Sequence, residues 1–322
     1  MKNWINRLLS GSENAATAVA AQAQPAGAPA EDAGIEIDAA YYRWLTASAG
    51  YEATPETGER ILAELRELSA NPDAAAGLVP RVPEVITQLL GSLGDDAVST
   101  NALARQVAQD VVLVAEVIRE ANSAYYRSLT PVRTVEAAIM MLGHNGLRML
   151  LARLAFRPII KMESRGFARR AAPQIWSQSE KCALAASLMA PGVTAGAFEA
   201  YLAGLMQNVG LMVAFRIVDR ICGDGRVPGS RVFGAALQEH SRQLSATVAA
   251  HWDFPPEVCA AIAAAGHPGE LPLARALALG DRIAKLRVLV DGKVIDDDDS
   301  LVTDGLDNFQ RRCLNKLSLV EE

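Results

Sequence analysis

The chain has 322 residues, half of them hydrophobic and 5% aromatic, with 31 basic and 37 acidic residues and a net charge of −6. That length suits roughly two domains of about 150 residues, and the apolar share supplies a sizeable core. The acidic balance argues against general nucleic-acid binding, and no uninterrupted apolar run reaches the roughly 18–20 residues that span a bilayer.

Alanine is abundant, and with Leu, Glu and Arg it favours helix. No run of alternating β-branched residues argues for strands, so the expected class is all-α. Cys182, Cys222, Cys259 and Cys313 are far apart and form no Cys-x-x-Cys pair. They read as reduced thiols and not as a disulfide framework or zinc site. The opening Met1-Lys-Asn-Trp-Ile-Asn-Arg-Leu-Leu9 turns polar too early for a secretory signal. The expected location is the cytoplasm.

In chain order, Trp4, Ile5, Leu8 and Leu9 lie on one face of a short amphipathic helix, too short to be stable alone. It reads as a leader or as a docking peptide. Glu13 to Gly34 is Ala/Gln/Pro/Gly-rich and reads as a flexible linker. Ile35 to Asn71 predicts two helices. The second starts at Thr54-Pro55, carries Ile61, Leu62, Leu65 and Leu68 at helical spacing, and ends at Asn71-Pro72. Ala74 to Gly77 then reads as a separator.

From Leu78 the pattern tightens. Pro80 and Pro83 fix an extended entry, followed by a helix with Val85, Ile86, Leu89 and Leu90 inward. A second helix is expected over Thr100 to Ala108. Asp110 caps a third, carrying Val111, Val114, Val117 and Ile118 and ending near Ala121–Tyr125. Thr134 caps a fourth, Val135 to Leu142, which Gly143 terminates. A fifth, Leu147 to Phe156, stops before Pro158. Five helices with short loops make a bundle.

A second helical set is expected over Pro173–Met189, Thr194–Asn208, Leu211–Ile221, Val232–Trp252, Pro256–Ala265 and Leu271–Leu289, with a last helix at Leu301–Leu319. The Gly223, Gly225 and Gly229 loop follows no strand and does not read as a phosphate cradle. Asp296 to Asp299 reads as a solvated turn. Within Ala200-Tyr-Leu-Ala-Gly-Leu-Met-Gln-Asn-Val-Gly210 the adjacent amides Gln207 and Asn208 interrupt an otherwise apolar stretch. Neither titrates at neutral pH, so neither does acid–base work.

Charge is uneven. Arg148, Arg153, Arg157, Lys161, Arg165, Arg169, Arg170 and Lys181 face only Glu163 and Glu180 in their window, which is therefore +6 while the remainder is −12. Two readings stand: a solvated helix face, or a docking surface for an acidic partner or a phosphate-bearing ligand.

Several stretches together resemble the HDOD family, the output-domain relatives of metal-dependent HD phosphohydrolases. They are Leu78–Leu90, Ile118-Arg-Glu-Ala-Asn-Ser-Ala-Tyr125, Val135-Glu-Ala-Ala-Ile-Met-Met-Leu-Gly143, Trp176–Leu188, Tyr201–Gly210 and His251-Trp-Asp-Phe-Pro-Pro256. The resemblance covers roughly Leu78 to Leu289. It implies an all-α fold in which an N-terminal bundle packs on an HD-hydrolase-like half. The organisation expected is a leader and linker at 1–34, a helical extension at 35–77, an HDOD domain at 78–290 (divided into 78–160 and 161–290), and an acidic loop with a C-terminal helix at 291–322.

Catalytic relatives, the resemblance implies, grip a divalent metal with a His on one helix, a His-Asp pair on another, further His residues and a late Asp. Here the first His falls at Gln178 and the His-Asp pair at Gln207-Asn208. Later positions match His240, Gly266-His267 and Asp281. A catalytic metal needs imidazoles and carboxylates that also offset its charge, and Asn and Gln offer only a neutral carbonyl oxygen. No metal or cofactor is therefore expected, and hydrolysis is expected to be lost. His240, His267 and Asp281 would form a two-His-one-carboxylate set if they converge. Otherwise the two histidines are helix-end residues and Asp281 pairs with Arg282 or Lys285. His144 and His251 read as structural. In the Ala121-Asn122-Ser123 motif, Asn122 and Ser123 either bond backbone where the helix ends or, with Arg119 and Tyr125, present a recognition surface.

The functional expectation is a non-catalytic signalling module that binds partner proteins. A nucleotide or cyclic-dinucleotide sensor, with Gln178, Gln207 and Asn208 bonding the base, is the alternative, and a residual metal-dependent phosphohydrolase is a third.

Overall fold

A computed structural model describes residues 29–46, 53–79, 100–123, 126, 130–160, 166–223 and 227–318. The leader Trp4–Leu9, the helix over Val85–Leu90, Tyr125, Lys161, Arg165 and the centre of the Gly223–Gly229 loop lie outside them. Every regular element among the described residues is a helix, as the composition implied.

Among the described residues, three helices precede the bundle: α1 Pro29–Thr46, α2 Pro55–Ser69 and α3 Pro72–Gly77. Helix α1 begins inside the stretch read as linker. It is held by Ile37, Tyr41, Tyr42 and Leu45, all buried, and the Tyr42 hydroxyl donates to the Pro228 carbonyl at 2.6 Å. Helix α2 starts at Pro55, where a missing N–H is harmless, and buries Ile61 and Leu65 completely. Ala74 to Gly77 is not a separator. Asn71 accepts from the Ala74 N–H at 3.2 Å, and this cap closes a turn of helix that buries Ala75.

The bundle helices are α4 Thr100–Val107, α5 Val111–Ala121 and α6 Val135–Ile160. Asp110 caps α5, accepting from Val112 and Leu113 N–H at 2.8 and 3.2 Å. The inward face is Leu113, Val117 and Ala121, a clean i, i+4, i+8 row. Val111, the first residue of the helix, lies off that row and is 82% exposed. Thr134 caps α6 through the Ala137 N–H. Gly143 breaks the helix at φ 67°, a conformation that costs other residues energy. The second half of α6 runs on to Ile160, past the stop expected before Pro158.

The C-terminal half comprises α7 Gly166–Met189, α8 Ala197–Met206, α9 Val209–Cys222, α10 Arg231–His251, α11 Pro256–Ala264, α12 Pro272–Asp291, α13 Ser300–Thr303 and α14 Asn308–Leu317. Helix α7 starts seven residues earlier than Pro173 suggested. Its first N–H groups are met from elsewhere in the chain: Asp219 accepts from Phe167 and Ala168 at 2.8 and 2.9 Å. Helix α7 packs on α8, α9 and α12. The segment Ala197–Cys222 is apolar enough by composition to cross a membrane, with a mean hydropathy of 1.4, but 94% of that window is buried. It is the core hairpin of this half, broken at Gln207-Asn208.

Two helices, not one, close the chain. A smaller core, including Ile37, Met189, Leu286, Leu306 and Leu314, ties them to α1, α7 and α12. All four cysteines are free.

Candidate functional site

The α8–α9 turn carries Gln207 and Asn208 into the middle of the C-terminal half. Its backbone is fixed by Ser245 of α10, whose hydroxyl donates to the Gln207 carbonyl at 2.7 Å and accepts from the Gly210 N–H at 2.8 Å. Gly210 lets α9 lie against the α10 backbone, since a Cβ there would overlap the Ser241 carbonyl oxygen. Asn208 stands at the N-cap of α9 without capping it. Its amide turns inward instead, donating to Gln178 Oε1 and to Ser179 Oγ, the latter at 2.9 Å.

Asp281 of α12 is the centre of the site and is 8% exposed. One oxygen accepts from Gln178 Nε2 at 2.7 Å and from Gln207 Nε2 at 2.9 Å. The other accepts from Lys285 Nζ at 2.6 Å. The ammonium also donates to Asp38 Oδ1 of α1 at 2.6 Å and to Gln238 Oε1 of α10 at 3.2 Å. Arg242 stands behind, 3.6 Å from Asp38 and 3.9 Å from Asp281. Two carboxylates thus face two cations, as buried charge requires.

The electrostatics follow from that arrangement. Burial alone would lower the Lys285 pKa, but Asp281 and Asp38 outweigh it and hold the ammonium above its usual range. Burial pushes Asp38 up, yet Lys285 and Arg242 hold it below the ordinary carboxylate range. Burial, then the Asp281 charge, drives the Cys182 thiol and the Tyr41 hydroxyl well upward, so neither is a nucleophile or base near neutral pH.

The space left between Tyr41, Gln207, Asn208, Gln238 and Arg242 is about 10 Å³, room for roughly one water molecule.

Of the residues matched to a metal site, Gln178, Gln207, Asn208 and Asp281 converge. His240 and His267 do not join them: His240 is half-buried, His267 is exposed, and both are absent from the bonds around Asp281. Among the described residues, no group of three His, Cys, Asp or Glu is placed to hold a metal ion. The donor set does not fit a metal. Gln178 and Gln207 turn N–H groups toward Asp281, and the Lys285 ammonium occupies its other oxygen. Asp281 pairs with Lys285, the i, i+4 partner open in the sequence. Asp38, Gln238 and Arg242 were not foreseen.

The basic segment is not one surface. Arg153 lies between Glu120 and Glu180, at 2.5 and 3.6 Å, and burial raises the Glu180 pKa despite that guanidinium. Arg148 stacks over the Phe198 ring at 3.9 Å. Lys181 is buried and donates to Ser177. Arg157 is half-buried, and only Arg169 and Arg170 are exposed among the described members.

Asn122 has the backbone role. Its Nδ2 donates to the Ile118 and Val132 carbonyls and its Oδ1 accepts from the Val132 N–H, all at 2.8 Å. The Ser123 hydroxyl is buried without a partner among the described residues. Arg119 is exposed and pairs with Glu116. Asp296 to Asp298 form the exposed turn expected, and Asp299 at its end caps α13 through the Leu301 N–H. His251 lies 3.6 Å from Asp73 of α3.

Helices packed round a central polar cavity in this way define an HD-phosphohydrolase-like fold. A protein assigned as a metal-dependent phosphohydrolase from Shewanella amazonensis SB2B superposes with a TM-score of 0.56 at 17% identity, over 83% of this chain and all of that one. An HDOD domain protein of unknown function from Geobacter sulfurreducens gives 0.53 at 20% identity, over 81% of this chain and 94% of that one. A protein assigned to signal transduction from Marinobacter aquaeolei VT8 gives 0.52 at 20% identity, over 89% of this chain and 63% of that one. The sequence matches the HDOD domain over residues 79–268, more than half of its length, and the chain belongs to the HDOD family. No curated protein matches it.

Proposed function

We propose that this chain is a regulatory module that acts by binding other proteins and performs no hydrolysis at the HD position. The observation that carries this reading is the closed cluster around Asp281. Its hydrogen-bonding capacity is taken by two amides and an ammonium, where a hydrolytic site would need a metal-held water. An Asp, a Lys and amides in this arrangement supply no water of lowered pKa. The regulatory part of the reading accords with the family and with the role assigned to the Marinobacter protein.

The test has two arms. Purified full-length protein is assayed for phosphodiester and phosphomonoester hydrolysis with Mn²⁺, Fe²⁺ or Mg²⁺ added. No turnover above buffer is expected, and metal-dependent turnover lost in Asp281→Asn contradicts the reading. Partner capture from host lysate is then compared with Arg169→Glu/Arg170→Glu, which reverses the exposed basic residues. Specific partners at near-stoichiometric recovery are expected, reduced in the reversed variant. Absence of any specific partner contradicts the interaction reading.

A further inference from the structure

We propose that Lys285 is a resident cation, its ammonium taking the neutralising and helix-tying role that a metal ion would have in an oxygen-lined seat between α1, α10 and α12. An ammonium has three donors and no acceptor. All three are matched here, by Asp281 Oδ2 and Asp38 Oδ1 at 2.6 Å and Gln238 Oε1 at 3.2 Å. One oxygen comes from each of three helices, as ligands do around an ion. Two carboxylates and an amide oxygen are the ligands of a hard cation such as Ca²⁺. The Lys285 side chain is 4% exposed, so the charge is buried. The Tyr41 ring lies under the ammonium at 5.6 Å, a further contact suited to a cation. Arg242 pairs with the same two carboxylates at longer range, 3.6 and 3.9 Å.

Of the ammonium and its three partners, Asp38, Asp281 and Lys285 lie outside residues 79–268, the span matched by the HDOD domain, and Gln238 lies inside it. The seat therefore couples the N-terminal extension to the HD-like half by a means the matched span does not contain. The proposal predicts that the oxygen set, completed by water, takes up a divalent cation once the ammonium is removed.

The test uses the full chain as wild type, Lys285→Ala and Lys285→Ala/Asp38→Asn. Each is melted with Ca²⁺, with Mg²⁺, and with NaCl at matched ionic strength, while Tb³⁺ luminescence sensitised by Tyr41 reports occupancy. Wild type is expected to show no Ca²⁺ shift and no sensitised emission. Lys285→Ala should melt lower, shift upward with Ca²⁺ and sensitise Tb³⁺, and the double variant should lose both responses. If Lys285→Ala does not fold alone, Ca²⁺ restoring its helical circular dichroism supports the proposal, and failure to restore it overturns it. A folded Lys285→Ala indifferent to cations, or a double variant responding equally, also overturns it. The inference rests on reading the position as metal-free. Stoichiometric metal in wild type would sink both readings, whereas a metal-free wild type with an unresponsive Lys285→Ala sinks only this one.

Discussion

Two polar groupings in this molecule are assembled in opposite ways. The cluster around Asp281 draws Asp38, Gln178, Gln207, Gln238 and Lys285 from four helices and the α8–α9 turn, across most of the chain, yet they form one connected hydrogen-bonded unit. The basic residues from Arg148 to Lys181 are neighbours in sequence, yet the fold scatters them. Arg153 is locked between two glutamates, Arg148 covers a phenylalanine, and Lys181 is buried. Proximity along a chain says little about a shared surface. A buried charge, by contrast, forces partners to be found wherever the fold supplies them, because an unpartnered one is too costly to keep.

The sharpest way to break this contrast is to remove the cation from the cluster. Lys285→Ala leaves Asp38 and Asp281 facing each other across α12 with only Arg242 nearby. By the cost of breaking a buried ion pair, it should lower the unfolding free energy by about 3–5 kcal/mol, read from urea denaturation. A loss below about 1 kcal/mol would mean the cluster is not a unit.

The basic segment makes the opposite forecast of itself, position by position. Arg153→Ala leaves Glu120 and Glu180 without their charged donor and should cost about 1.5–3 kcal/mol. Arg169→Ala, at an exposed position, should stay within about 0.5 kcal/mol of wild type. Similar losses at both would show the segment to be one surface after all.

A smaller effect sharpens the account of α1. Asp38 faces Lys285 from α12 and Arg242 and Gln238 from α10. Its folded pKa is depressed, because those cations outweigh burial. A depressed carboxylate contributes stability fully above its unfolded pKa, near about 3.9, and loses it as pH falls through the folded value. The stability difference between wild type and Asp38→Asn should therefore be level from about pH 5 to 7 and shrink below about pH 4. A difference that grows on acidification contradicts the pairing.

Much of the fold was legible locally. Thr54-Pro55, Asp110 and Thr134 mark helix starts because caps and proline act within a turn, and Gly143 marks a break because its φ excludes most residues. The two amides at 207 and 208 stood out because an apolar helix has no local use for them. The missed parts are those that depend on distant partners. Nothing near Gly166 signals a helix start, since its cap is Asp219. Asp38 lies on a helix whose beginning reads as linker, and its partner is 247 residues away. A signal did exist on α10: Gln238, Ser241, Arg242 and Ser245 follow helical spacing along one buried face, a polar stripe that a core helix carries only when something polar lies opposite.

The central claim is that amides and an ammonium have replaced the metal. Elemental analysis tests it most directly, on full-length protein dialysed after incubation with Mn²⁺, Fe²⁺ and Zn²⁺. The account expects well under one equivalent of any divalent metal per chain. One equivalent retained by wild type and lost in Asp281→Asn would contradict it.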